Sequence, residues 1–427
     1  MAASPAIGYQ TTFTPRISVS EEYTDNYFLT DDNKVYEYIT TISPAFTAQI
    51  LWISSGAEIS YAPSYAIYDR FNENDTLRHN AQFFGWTEIA KNTRLDVSDS
   101  FLLTEEPLSE EDIAILQTED PSAQIDTTIR RSRQTYYTNS ARVNLTHQFG
   151  ESNSINLGYF HGLLENEDPS IEDNERHNPF LGLTHWFVPK WGIEMQGSYT
   201  RGEFDTEEEF EGDPSDDFDN WNGSARLIKS FTRYFEGFIR YSHTYMHYIG
   251  ETENYKVYNP STGLNYTLPD DISLSFDIGY YIREMEESDN ESGLNTSGSL
   301  TKTYRRGSIN LTGSGGYEES FFGAENLGFS EFYEAGGSAT YQLTRHISLN
   351  IFGSYRNNKY EDIEPEREDK ITRGGLGLTI QPLTWMTFEL NYTYRSVDST
   401  LDINDYEENR GLIRVTLSPS LPYRFAQ

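Results

Sequence analysis

The stretch Trp385-Met386-Thr387-Phe388-Glu389-Leu390-Asn391-Tyr392-Thr393-Tyr394-Arg395 decides the fold. Successive side chains of a strand point to opposite sides. Met386, Phe388, Leu390, Tyr392 and Tyr394 therefore share one face, and Thr387, Glu389, Asn391, Thr393 and Arg395 share the other. One such strand would suit a soluble sheet equally well. The alternation, however, recurs along the chain. Ile272, Leu274, Phe276, Ile278 and Tyr280 oppose Ser273, Ser275 and Asp277. Ile347, Leu349, Ile351 and Tyr355 oppose Ser348, Asn350, Ser354 and Arg356, and Ile193, Met195 and Tyr199 oppose Glu194, Gln196, Ser198 and Thr200. Segments of about ten alternating residues, separated by tight turns and polar loops, form the pattern of a transmembrane β-barrel. The competing architecture, a soluble β-repeat protein, would bury the apolar face in a dry core and has no need of so many tyrosines.

Composition agrees. The 427 residues include 31 Tyr and 25 Phe, yet mean hydropathy is -0.65. Aromatic girdles at two membrane interfaces, with polar loops and a polar interior, reconcile those values. No run of apolar residues is long enough for a membrane-spanning helix. Cysteine is absent, which excludes disulfides, thiolate metal sites and a cysteine nucleophile. A formal charge of -35 argues against a nucleic-acid partner, which would need a basic footprint. Met1-Ala2-Ala3-Ser4-Pro5 has neither the basic nor the apolar region of an export leader. The barrel pattern therefore favours a mature chain carrying a new Met, residing in the bacterial outer membrane.

Hairpins can be laid down in order: 15–30 with 35–50, 139–149 with 154–164, 181–187 with 193–200, 225–231 with 235–245, and 272–283 with 294–304. Alternating segments at 309–317, 335–343, 347–355, 376–381, 386–394 and 411–425 complete the set. The expectation is an all-β fold: one antiparallel transmembrane barrel of about 18–20 strands over residues 1–427, with 1–12 as a periplasmic N-terminal segment. The region 56–103 is irregular and gives no clear boundaries. Short links at 188–190 and 344–346 alternate with long acidic ones at 165–175, 203–219, 284–291, 361–369 and 398–408. Short periplasmic turns and long extracellular loops are the rule for bacterial barrels, so most of the negative charge is expected outside the cell. The longest connection, 105–133, has the length either to fold inward or to cover the rim.

By parity the polar face carries Arg142, Glu194, Arg226, Glu236, Arg240, Asp277, Arg283, Arg356, Glu389, Arg395 and Arg414, which are the expected pore-lining residues. Mixed charge of this kind holds water and hydrogen-bonds hydroxyl-rich solutes. Cross-strand Arg–carboxylate pairs that simply brace the wall account for the same pattern. Phe160, Trp186, Phe238, Tyr281 and Phe352 fall inward as well, as a slide for sugar rings or as packing. The loop Asp213-Pro214-Ser215-Asp216-Asp217-Phe218-Asp219 is rich enough in carboxylates for Ca²⁺ but lacks the spacing of a dedicated calcium loop. A solvated surface is the alternative.

None of the eight histidines sits in a hydrolase or zinc-protease motif, and His147, His185 and His243 point toward lipid by parity. His243 and His247, four apart, are too widely spaced along a strand for a joint metal site. No catalytic residue, metal or cofactor is expected.

The last strand, from Asn409 to Phe425, ends Tyr423-Arg424-Phe425, resembling the C-terminal insertion signal of outer-membrane proteins. That signal usually ends on the aromatic, whereas Ala426 and Gln427 follow here. The opening Pro15-Arg16-Ile17-Ser18-Val19-Ser20-Glu21-Glu22-Tyr23-Thr24-Asp25-Asn26-Tyr27-Phe28-Leu29-Thr30, then Ile39-Thr40-Thr41-Ile42-Ser43-Pro44-Ala45, and Arg94-Leu95-Asp96-Val97-Ser98-Asp99-Ser100-Phe101 resemble one family. It is that of outer-membrane β-barrel porins found with exopolysaccharide biosynthesis and export systems. The resemblance runs through the whole chain in order and implies a large barrel that passes polysaccharide, with a periplasmic export protein as partner. Outer-membrane lipid and lipopolysaccharide would surround it. A cation-preferring diffusion porin and a structural or adhesive barrel with cation-binding loops are the alternatives.

Overall fold

The computed structural model describes residues 9–106, 133–169, 171–205, 217–250, 252–268, 271–322, 326–362 and 366–426. Twenty-two strand segments form one antiparallel sheet. Ser55–Tyr61 and Ser64–Tyr68 occupy a single place in the wall, both lying between Glu37–Leu51 and Thr76–Ala90. Tyr406–Leu417 and Tyr423–Ala426 likewise share the last place, beside Gln10–Thr24. The sheet thus closes on itself as a barrel of 20 strands. Prolines explain both interruptions, because Pro63 in the first gap and Pro419 and Pro422 in the second have no N–H to donate. No α-helix occurs among the described residues.

Short and long connections alternate. Turns at 91–92, 189–190, 233–234, 305–306, 345–346 and 384–385 mark one end of the barrel. Connections such as 25–36, 249–254, 361–366 and 400–405 mark the other. The outward face is apolar and exposed, as in Ile278, Ile282 and Leu311. Exposed rings ring it at two heights: Phe187, Trp191, Phe231, Tyr304 and Trp385 near the short turns, and Tyr23, Trp221, Tyr280 and Tyr355 toward the long loops. These are the two aromatic belts of a membrane barrel.

The clearest departures from the expected boundaries lie at the first strand and at Tyr255–Leu268. The first strand ends at Thr24 rather than Thr30, because the Asn26 amide donates to the Thr30 carbonyl at 2.6 Å and accepts from its N–H at 3.0 Å, curling the chain. Leu29 and Asn33 there have φ of 51° and 57°. The first strand also begins at Gln10, inside the expected N-terminal segment; residues 1–8 lie outside the described residues. The strand Tyr255–Leu268 was absent from the hairpin set, since Pro260 and Gly263 interrupt its alternation.

Candidate functional site in the barrel interior

Side chains of strands that are not neighbours can meet only through the interior. Arg283, on Ile272–Met285, donates to Asp362 beyond Ile347–Tyr360 at 2.8 Å. Tyr255 donates to Glu319 at 2.8 Å, three strands away. These contacts identify the inner face. Strand alternation then places all eleven parity-selected residues on it, dispersed from Arg142 on Tyr136–Gln148 to Arg414 on Tyr406–Leu417.

Several of them pair. Arg226 reaches Glu194 at 3.0 Å, Arg414 reaches Glu389 at 3.3 Å, and Arg240 reaches Asp277 at 3.1 Å with Ser261 also accepting from it. Arg356 bridges Glu318 at 2.7 Å and Glu334 at 3.4 Å. Glu236 accepts from Ser230 at 2.6 Å. Arg142 stacks over Phe180, and Arg395 lies 5.7 Å from the Tyr406 ring centre. Two arginine pairs stand directly opposite each other across strands, Arg226 with Arg240 and Arg373 with Arg395. Like charges so placed are unfavourable unless carboxylates or a ligand offset them.

The inward rings lie along the wall. Phe238 covers Gly263, Phe352 covers Gly375, and Trp186 covers Gly192, where any Cβ would collide with ring atoms. Glycine on the neighbouring strand lets each ring lie flat. Phe160 lies 5.1 Å beneath the Arg176 guanidinium.

Tyr281 has a different setting, created by a hairpin whose first strand leaves the wall. The strands Glu291–Tyr304 and Gly307–Ser320 pair only as far as Gly315. Beyond it, residues 316–320 stay paired with Gly328–Phe332 but lose their other neighbour. The freed tip bends inward and packs against strands on its far side. Phe321 lies 4.7 Å from Phe218, Phe322 lies 5.7 Å from Phe204, and Tyr317 lies 4.9 Å from Tyr281. Phe329 is fully buried among Tyr255, Tyr281 and Tyr317. Arg283, 2% exposed, is clamped between the Tyr255 and Phe329 rings at 4.2 and 4.3 Å. Glu319 further bonds Asn220, and Glu331 accepts from Tyr281.

A second knot sits at the root of the longest connection. Glu105 and Glu106 turn inward, where Arg78 meets them at 2.5 and 2.9 Å. Arg133 and Arg410 also reach Glu106, at 3.0 and 3.7 Å. Burial works against the Glu106 charge, but the Arg133, Arg78 and Arg410 guanidiniums outweigh it and hold the carboxyl down at about 2. Arg410 continues to Glu408 and Glu22, and Thr24 donates to Glu408 at 2.8 Å. The knot thus ties the first and last strands to this connection. Residues 107–132 of the connection, and 213–216 of the candidate calcium loop, lie outside the described residues.

Both knots narrow the interior at the long-loop end, where the buried side chains concentrate. Toward the short turns, inner residues such as Arg414 and Glu389 stay about one-third exposed, at 36% and 32%. Parity alone could not single out Glu319, Phe321, Phe322 and Phe329, because their position depends on the loss of one neighbouring strand.

A closed, even-stranded barrel with two aromatic belts and a charged interior is an outer-membrane protein of the porin type. The chain belongs to the family described as "Putative beta-barrel porin 2", whose model matches residues 8–150 and 277–418. Solved barrels share the fold at low identity. The FrpB iron transporter of Neisseria meningitidis is 10% identical with a TM-score of 0.56, covering 96% of this chain and 82% of its own. The siderophore receptor PirA of Pseudomonas aeruginosa is 8% identical with a TM-score of 0.54, covering 98% and 81%. No curated protein sequence matches the chain.

Proposed function

We propose that this barrel is a non-catalytic conduit through which an exopolysaccharide leaves the cell. The eleven inner-face residues would form its pore lining, and a periplasmic export protein would feed it at the short-turn end. The observation that carries the reading is the inner-face chemistry. The opposed pairs Arg226–Arg240 and Arg373–Arg395 gather cationic charge on the wall, and Glu194 and Asp277, paired with Arg226 and Arg240, set carboxylates among them so that neither sign dominates. Guanidiniums and carboxylates in alternation suit a hydroxylated, acid-bearing chain. Phe238, Phe352 and Trp186, flat on the wall, would present ring faces to sugar faces. The iron-transporting barrels share the fold alone, so their cargo is not carried over.

The acidic long loops favour a second reading, a cation-preferring diffusion porin, since an acidic mouth concentrates cations. Single-channel conductance in a planar bilayer, with and without acidic polysaccharide fragments, separates the two. A conductance that the fragments block supports the conduit. An open, cation-selective channel indifferent to them supports the diffusion porin. A barrel that never conducts removes both.

A further inference from the structure

We propose that His161, Glu175 and His177 form a binding site for a divalent transition-metal ion of the zinc class on the outward wall of the barrel. The strands Ser154–Asn166 and Asp173–Val188 are in a register that sets His161 directly opposite His177. Glu175 lies two residues from His177 and so shares its face. The His161 Nε2 and Glu175 Oε1 atoms are 2.7 Å apart, and His177 Nε2 lies 3.3 Å from the same oxygen. All three ligand atoms fall within 4.8 Å of one another. Donors around a tetrahedral zinc ion stand roughly 3.3 Å apart, given metal–nitrogen bonds of about 2.0–2.1 Å. Small side-chain movements therefore convert the hydrogen-bonded cluster into a coordination shell.

The donor set selects the metal. Two imidazoles with one carboxylate suit zinc, copper or nickel, whereas calcium and magnesium prefer all-oxygen shells. The Tyr159 hydroxyl lies 2.6 Å from His177 Nδ1, which directs Nε2 of that ring to the shared centre. Arg201 stands opposite His177 and would repel a cation, but Glu203, Asp217 and Asp219 surround its guanidinium at 3.1, 3.4 and 3.6 Å. The local balance is therefore negative.

The site faces away from the interior. Arg176, between Glu175 and His177, turns inward to Phe160 and to Phe322 of the bent hairpin. Leu157, Tyr159 and Leu181 are exposed on the opposite, outward face. Glu175 is two residues from the long-loop end of its strand, above the Tyr159 level of the outer belt. A bound ion would sit at the headgroup layer of the outer leaflet, with a coordination position open to a water or phosphate oxygen.

The test uses the full chain in detergent, without a purification tag, titrated with Co²⁺ as a visible-absorbing substitute for zinc. The chain has no cysteine, so no thiolate competes. The expected result is a saturable band at one equivalent that Zn²⁺ displaces. H161A and H177A should weaken it by more than about a hundredfold, and Y159F by roughly tenfold. Heat-dependent gel mobility and circular dichroism confirm that each variant is folded, with His161→Asn and Glu175→Gln as milder replacements. No band, or a band of equal strength in H161A and H177A, would overturn the proposal; the second result would place the ion in the acidic loops.

Discussion

Replacing Arg283 by Met should undock the inward hairpin without opening the barrel. The guanidinium is 2% exposed and donates to Glu291 at 3.1 Å and Asp362 at 2.8 Å. It also joins the Tyr255 ring to Phe329, the buried ring of the hairpin. Removing one partner of a buried ion pair typically costs about 3–5 kcal/mol. Glu291 and Asp362 remain 35% and 28% exposed, so water recovers part of that loss. Methionine retains some ring contact through its sulfur. A net cost of about 2 kcal/mol results, or roughly a thirtyfold shift away from the docked state. The wall's own hydrogen bonds are untouched, so the effect should be local. Hydrogen exchange in detergent should show faster exchange for amides in 317–322 and 327–329 and wild-type rates in Met386–Ser399. R283M/D362N should recover part of the protection, because it removes a carboxylate left without its cation. Wild-type exchange at 317–322 and 327–329 in R283M would refute the clamp.

Glu106 gives a pH-dependent prediction. Its folded value of about 2 is below the ordinary 4.5, so its stabilisation is present above 4.5 and lost as pH falls through about 2. E106Q should be less stable by about 3 kcal/mol in urea midpoints at pH 7 and pH 5, with the gap closing only toward pH 2; a gap already absent at pH 5 would contradict the three-arginine setting. G263A should cost about 1–3 kcal/mol, because its methyl would meet the Phe238 ring and the Phe276 carbonyl, whereas G411A, with nothing within 4 Å, should leave the midpoint unchanged. R226A/R240A should weaken block of conductance by acidic polysaccharide fragments several-fold while neutral fragments act as before; equal loss for both would point to a change in bore rather than in recognition.

The wall was legible because a strand between lipid and water needs a two-sided pattern, and Met386–Ser399 displays it directly. The short turns were legible for the same reason, as brief polar breaks between alternating runs. Tyr255–Leu268 was not, because Pro260 and Gly263 resemble loop residues until the ladders to both neighbouring strands hold the chain extended through them. The inner-face partners were harder still. Arg240 finds Asp277 across an intervening strand, and His161 meets His177 only once the register of one hairpin is known. Alternation gives the side a residue faces, not its height or its neighbour around the circumference. The inward hairpin escaped altogether, since nothing in residues 316–320 announces that their pairing with Glu291–Tyr304 ends at Gly315.

The seam between the first and last strands has a consequence for how such a molecule comes into being. Gln10–Thr24 pairs with Tyr406–Leu417 and Tyr423–Ala426, so closure joins residues nearly four hundred positions apart. Until that ladder forms, two rows of peptide groups face hydrocarbon that offers them no hydrogen bond. No partial barrel is a resting place: a chain cut short anywhere before its final segment carries two open edges. The side-chain bolt from Thr24 to Glu408, with Asp25 holding Asn409, comes together only at that same moment. Assembly therefore carries its own proofreading, because only a chain that holds both edges of this seam can shut.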